Sequence, residues 1–220
     1  MREATFSKES LLCGDSHLKY WLYIPENATE NMPLIVYLHG GSGKGDDPDA
    51  LTRHEGFPQF VQNKLLKAPA FIVIPQAPEY VHGWDELNDE LLLLIEEISD
   101  KYRIARDNVS LTGHSMGGIG AWMVGCHNQK IFARIAPVSG SVGRRMSRFA
   151  DRATLPVWSF VGSDISDARA YDSNTEFFPR LVKHNPNATL TVLNGYGHRD
   201  TVRAYLEYDI IGWLIGKDCI

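Results

Sequence analysis

The stretch Gly113-His114-Ser115-Met116-Gly117, directly after the apolar run Val109-Ser110-Leu111-Thr112, constrains this chain more than any other feature. A β-rich run that stops at glycine-x-serine-x-glycine and resumes as a helix is the pattern of a sharp strand-to-helix turn that lifts a serine hydroxyl clear of a sheet. The glycines have a mechanical reason. Such a turn strains the backbone at the serine and leaves no room for side chains two positions either side of it. At ordinary Gly and Ser frequencies of about 7% each, the pattern arises by chance in roughly one chain in fourteen of this length. The surrounding segments must therefore carry the reading.

Those segments fall in the order that an activated serine needs. The run Leu34-Ile35-Val36-Tyr37-Leu38 reads as a buried parallel strand and ends in His39-Gly40-Gly41-Ser42-Gly43. A glycine-rich loop there can bring a backbone N–H close to Ser115. Gly41 is the expected donor, and with the N–H of Met116 it makes the expected oxyanion hole. The same glycines do not fit a phosphate-binding loop, because Walker A spacing needs Gly at 38 and Ser or Thr at 45, where Leu38 and Gly45 stand. A strand-like run over 155–162 leads to the acidic loop Ser163-Asp164-Ile165-Ser166-Asp167, which can supply a carboxylate to orient a histidine. Another, over 188–193, ends in Asn194-Gly195-Tyr196-Gly197-His198. Ser115, then Asp164 or Asp167, then His198 is the chain order of the triad on α/β-hydrolase sheets. His39 reads as a brace for the oxyanion loop and His114 as packing at the elbow. Trp84, Tyr171 and Tyr196 read equally as pocket lining or core packing.

On these residues the chain resembles the compact α/β-hydrolases of the esterase, phospholipase/carboxylesterase and dienelactone-hydrolase-like group. The resemblance rests on Leu38-His39-Gly40-Gly41 with Gly45-Asp46-Asp47 downstream, on 109–122 including Gly118 and Gly120, on 156–164 and on 195–198. It covers nearly everything from Tyr20 onward. It implies an α/β-hydrolase fold, and 220 residues leave no spare length for a large lid domain. It also implies a serine carboxylic-ester hydrolase that forms an acyl-enzyme from small soluble esters, with feruloyl esters, acetyl esters and small thioesters among the substrates allowed. The group usually places its acid three residues after the strand-ending glycine. Here that position is Ile165, with Asp164 one residue early and Asp167 two late, so Asp164 is the preferred acid and Asp167 the alternative. Two rival readings stand beside this one: a prolyl-oligopeptidase-like serine peptidase using the same triad, and a non-catalytic binding module on a hydrolase scaffold.

The remaining pattern places the site. Residues 18–24 alternate as an antiparallel strand, and strand–helix alternation follows. Helices are expected over 57–66, 87–102, 116–126, 175–184 and 201–214, and strands over 70–74, 109–112, 132–138, 155–161 and 190–193. This alternation predicts an α/β domain over 1–220 with a mainly parallel central sheet and helices on both faces. In such a sheet ligands bind outside the carboxyl ends of the strands, where Gly41, Ser115, Asp164 and His198 all fall. With 220 residues and 44% hydrophobic content, the chain can bury a full core. A net charge of −5 argues against a nucleic-acid partner. The one basic cluster, Arg144-Arg145-Met146-Ser147-Arg148, reads as a solvated face or as an anchor for an anionic group on the substrate. No stretch approaches the length of an apolar membrane span, and the N-terminus lacks the apolar region of a signal peptide. Cys13, Cys126 and Cys219 are odd in number and form no Cys-x-x-Cys, and the eight histidines show no His-Glu-x-x-His spacing. No metal and no cofactor are therefore expected, and a reducing, cytoplasmic setting is.

Overall fold

Strand β3 (Leu34–Leu38) is buried at every position, and its residues divide between two apolar clusters. Leu34, Val36 and Leu38 join one cluster, while Ile35 and Tyr37 join the other. That division is what a strand covered on both faces must show, since successive side chains point to opposite sides. The computed structural model describes residues 3–14, 16–53, 56–143 and 153–217. The basic cluster at 144–148 and Cys219 lie outside the described residues.

Eight strands form one sheet in the order β1-β2-β4-β3-β5-β6-β7-β8. They are β1 (Thr5–Cys13), β2 (Ser16–Ile24), β3, β4 (Phe71–Pro75), β5 (Val109–His114), β6 (Arg134–Val138), β7 (Val157–Gly162) and β8 (Ala188–Leu193). From β4 to β8 every pairing is parallel; β1 and β2 pair antiparallel with each other, and β2 pairs antiparallel with β4. The expectation of a mainly parallel sheet is met. Strand β1 was not foreseen, because Thr5-Phe6-Ser7-Lys8-Glu9-Ser10 has no apolar alternation. As an edge strand it draws on only one hydrogen-bonded neighbour and on the stacking of Phe6 against Trp21, whose ring centroids lie 4.4 Å apart.

Helices α2 (Asn88–Tyr102), α3 (Met116–His127) and α4 (Ala168–His184) cover one face with Leu91, Leu94, Ile98, Trp122, Phe177 and Leu181. Helices α1 (Phe57–Gln62), α5 (Ala204–Glu207) and α6 (Ile210–Leu214) cover the other with Phe57, Phe60, Tyr205, Ile210 and Leu214. Each such buried side chain contributes about 1.5–3 kcal/mol relative to its exposed state, so these two layers hold the sheet that positions the site. Helix α2 carries Asp89 and Glu90 in its first turn and Lys101 in its last, matching the helix dipole at both ends.

Three helices differ from expectation. Helix α1 stops at Gln62, short of the expected 66. Helix α4 begins two turns earlier than 175, because its early polar residues find tertiary partners. Asn174 bonds Gly140 O at 2.9 Å and Ser159 Oγ at 2.9 Å, and the Ser173 hydroxyl accepts from the Val142 N–H at 3.0 Å. The helix expected over 201–214 is divided into a 3₁₀ turn (Asp200–Arg203), α5 and α6. The chain becomes extended at Tyr208, and Asp209 then caps α6 by accepting from the Gly212 N–H at 2.9 Å.

Candidate active site

Parallel register brings five loops to one edge of the sheet. Leu38 pairs with Gly113, His114 with Val138 and Gly162 with Leu193, so the chain leaves β3, β5, β6, β7 and β8 at that edge. Ser115 follows β5 directly and caps α3 with φ 59° and ψ −118°, a strained conformation for a residue with a Cβ. The turn is tight enough to explain both flanking glycines. A Cβ on Gly117 would stand 1.8 Å from the Leu38 carbonyl oxygen, and one on Gly113 would stand 2.6 Å from the same atom.

His198, in the loop after β8, places Nε2 2.8 Å from Ser115 Oγ. Its Nδ1–H donates to Asp167 Oδ1 at 2.6 Å. With that proton on Nδ1, Nε2 is free to accept from the serine hydroxyl. The His198 side chain is 36% exposed while that of Asp167 is 1% exposed, so the carboxylate is dry and the imidazole edge is open. The other oxygen of Asp167, Oδ2, accepts from the Gly162 N–H at 2.7 Å and from the Ser139 hydroxyl at 2.9 Å. Asp167 also immediately precedes α4, whose N-terminal dipole favours negative charge there.

Asp164, the preferred acid from sequence, does not meet His198. Its exposed carboxylate caps the 3₁₀ turn Ile165–Asp167 by accepting from the Ser166 N–H at 2.9 Å and the Ser166 hydroxyl at 2.7 Å. Those bonds hold the carboxyl below the usual carboxylate range. A turn residue spent on its own cap cannot also reach the imidazole. The residue three positions on, Asp167, is carried round to it. An Asp-x-Ser start to the turn is the local signal that would have favoured the later aspartate. Ser166 does more than shape the turn, because its Oγ also accepts from the His198 N–H at 3.1 Å.

Gly41 and Met116 are each the first residue of a helical segment, the 3₁₀ turn Gly41–Gly43 and α3 respectively. The first N–H groups of a helix have no intrahelical acceptor and are open to a ligand. A Cβ built on Gly40 would lie 3.4 Å from Ser115 Cβ, so this loop passes directly over the serine. His39 fixes the loop from within. It is buried, its Nδ1–H donates to Gly40 O at 2.6 Å, and its Nε2 accepts from the Ala77 N–H at 2.9 Å. Burial pushes its pKa down to about 4, so the ring is neutral, as that pair of bonds requires. Trp84 is fully buried and donates from Nε1 to His39 O at 3.0 Å, so it is part of the same brace and does not line a pocket. The Tyr196 hydroxyl donates to Glu207, and Tyr171 is half-buried on α4.

Three residues near the site were not singled out from sequence: Ser139, Ser166 and Thr201. His114, read as packing, is half-buried and also makes polar contacts, with Nε2 2.9 Å from His198 O and 3.1 Å from Thr201 Oγ1. A surface cavity of about 510 Å³ lies elsewhere, lined by Leu92, Glu96, Arg106, Val109 and Lys130. Val109 opens β5 while Ser115 follows its end, which separates the two by about 20 Å along the strand. Among the described residues no cluster of His, Cys, Asp and Glu could hold a metal, and no helix is long and apolar enough to cross a membrane.

Comparison with known proteins bears on the fold and the family. Similar folds occur in a thermostable esterase (TM-score 0.76, 20% identity, 95% of this chain and 62% of that one) and in the feruloyl esterase module from Clostridium thermocellum complexed with sinapinate (TM-score 0.74, 17% identity, 98% and 89%). A third is S-formylglutathione hydrolase from Staphylococcus aureus (TM-score 0.75, 15% identity, 98% and 99%). No curated protein sequence matches the chain. The Esterase family model matches residues 15–210. With an α/β-hydrolase sheet beneath it and a serine at its strand-to-helix turn, the chain belongs to the Esterase family and is a serine hydrolase.

Proposed function

We propose that the protein hydrolyses small soluble carboxylic esters through a catalytic triad of Ser115, His198 and Asp167. The observation that carries this is the unbroken path from Asp167 Oδ1 through the His198 ring to Ser115 Oγ, with contacts of 2.6 and 2.8 Å. In the first step His198 Nε2 takes the Ser115 proton as Oγ attacks the ester carbonyl, then returns it to the departing alcohol. Water repeats the cycle on the acyl-enzyme and releases the acid. Asp167 fixes the imidazole tautomer and balances the imidazolium. The N–H groups of Gly41 and Met116 receive the oxyanion, where losing one donor in comparable sites costs roughly 3 to 4 kcal/mol. The expectation of a Ser-Asp-His triad is kept here, with Asp167 in place of Asp164.

The open edge of His198 supports a site reached by small, dissolved substrates. Aromatic acyl esters and small thioesters are substrates to try, since structural neighbours are named as a feruloyl esterase module and an S-formylglutathione hydrolase. A cytoplasmic setting belongs to the same proposal, supported by the few cysteines and the lack of any Cys-x-x-Cys.

The test is hydrolysis of p-nitrophenyl esters of rising acyl length, with methyl ferulate and an aminoacyl amide alongside. Turnover of short esters, lowered at least about a thousandfold in Ser115→Ala, is expected. Faster cleavage of the aminoacyl amide than of the matching ester would make the protein a peptidase instead.

A further inference from the structure

We propose that His114, Thr201 and Ser139 form a one-directional hydrogen-bond chain that ends on the Asp167 carboxylate and also holds the backbone of His198, making His114 a positioning residue. This rests on the triad reading above. The direction follows from counting protons. Asp167 Oδ2 can only accept, so the Ser139 hydroxyl 2.9 Å away must donate to it. Ser139 Oγ and Thr201 Oγ1 lie 2.6 Å apart, too close for two oxygens with no proton between them. Since the Ser139 proton is committed to Asp167, Thr201 supplies that proton. That proton could otherwise reach the His198 carbonyl at 2.9 Å, but it goes to the shorter Ser139 contact, which leaves Thr201 Oγ1 and the carbonyl as two acceptors side by side. His114 Nε2 reaches both, at 3.1 and 2.9 Å, and therefore carries its proton on Nε2 and bridges them.

The chain joins four of the five loops at the sheet edge. His114 ends β5 beside the nucleophile, Ser139 follows β6, Asp167 follows β7, and Thr201 sits three residues beyond His198 in the loop after β8. Donors arriving on one side of Asp167 spread its charge and fix the carboxylate plane that aims His198. The His198 main chain is held at both ends, by Ser166 Oγ at its N–H and by His114 at its carbonyl. The ionisable groups bearing on His114 are His198, which disfavours a positive charge there, and Asp167, which favours one. Burial outweighs both and pushes the His114 pKa down to about 4, so the ring is neutral across the working range.

The chain can be cut at two links. His114→Phe keeps a ring and removes the donor, His114→Gln keeps a donor at a similar reach, and Thr201→Val removes the middle hydroxyl at constant shape. Folding is checked by near-UV circular dichroism, so one folded variant of the two cuts suffices. With p-nitrophenyl acetate, His114→Phe and Thr201→Val should lower kcat about tenfold while KM stays within about twofold, and His114→Gln should keep most of the activity. With nothing polarising the Ser139 hydroxyl from behind, its bond to Asp167 weakens, and the carboxylate holds the protonated form of His198 more firmly. The acidic limb of the kcat/KM profile should therefore move up by about half a pH unit in the two cut variants. Wild-type kcat and an unmoved acidic limb in a folded cut variant would overturn the proposal, as would a His114→Gln variant as impaired as His114→Phe. If the wild-type protein shows neither ester turnover nor fluorophosphonate labelling of Ser115, the triad reading itself fails and the chain with it.

Discussion

Two aspartates three residues apart have opposite duties, and the difference lies in what each carboxylate touches. Asp167 is buried against His198, Ser139 and the Gly162 N–H, whereas Asp164 is exposed and turns back onto Ser166. Asp167→Asn removes the charge opposite the imidazolium and presents an amide N–H or a weaker acceptor to Nδ1. It should lower kcat roughly 10³–10⁴-fold with little loss of folding. Asp164→Asn keeps a capping side chain and should lower kcat less than about tenfold, while Asp164→Ala costs about 1 kcal/mol of stability through the lost cap. Steady-state kinetics on a short ester and urea denaturation measure these effects. Ser115 and His198 were legible from the glycine frame and from chain order. The acid was not, because both aspartates stand one turn from a strand end, and only the turn's own hydrogen bonds decide which one faces the histidine.

The strand-to-helix elbow is where the elements leave least freedom. A Cβ on Gly117 would stand 1.8 Å from backbone oxygen, so Gly117→Ala must push β3 and α3 apart. It should cost about 4 kcal/mol or more, or leave the protein insoluble, by the midpoint of urea unfolding. Gly41→Ala is the contrast, because a Cβ there meets nothing within 4 Å and its stability should change by less than about 1 kcal/mol. At Ser115, with φ 59°, replacement by glycine relieves backbone strain that replacement by alanine keeps. Ser115→Gly should be the more stable of the two inactive variants by about 1 kcal/mol. Strands β3, β4 and β5 were readable because they are short apolar runs bounded by turn residues. Edge strand β1 was not, since its pairing and not its composition makes it a strand. The early turns of α4 were hidden for a similar reason, as Ser173 and Asn174 look like helix breakers until Gly140, Ser159 and Val142 accept or supply their hydrogen bonds.

At the scale of the whole molecule, one sheet carries the site on its carboxyl edge and holds two neutral histidines beneath it, His39 buried and His114 half-buried. His39 and His114 each have a folded pKa near 4 against 6.5 when unfolded. The unfolded chain therefore takes up their protons first as pH falls. The stability they contribute is fully present above about pH 6.5, is lost progressively toward pH 4, and falls no further through them below that. For His39 alone the loss is on the order of 3 kcal/mol. Thermal unfolding followed from pH 7 to pH 4 should show this decline, and His39→Asn should flatten part of it. Sheet class and the covering of both faces were legible from strand–helix alternation. The polar network linking the loops was not, because it joins residues from four strand ends that only the fold brings together. The most direct test of the central claim is peptide mass spectrometry of the wild-type protein after reaction with a fluorophosphonate, with ester turnover recorded on the same sample. A single phosphonyl adduct on Ser115, formed in step with the loss of turnover, is the expected result. An adduct on any other residue, or full turnover with Ser115 modified, would contradict it.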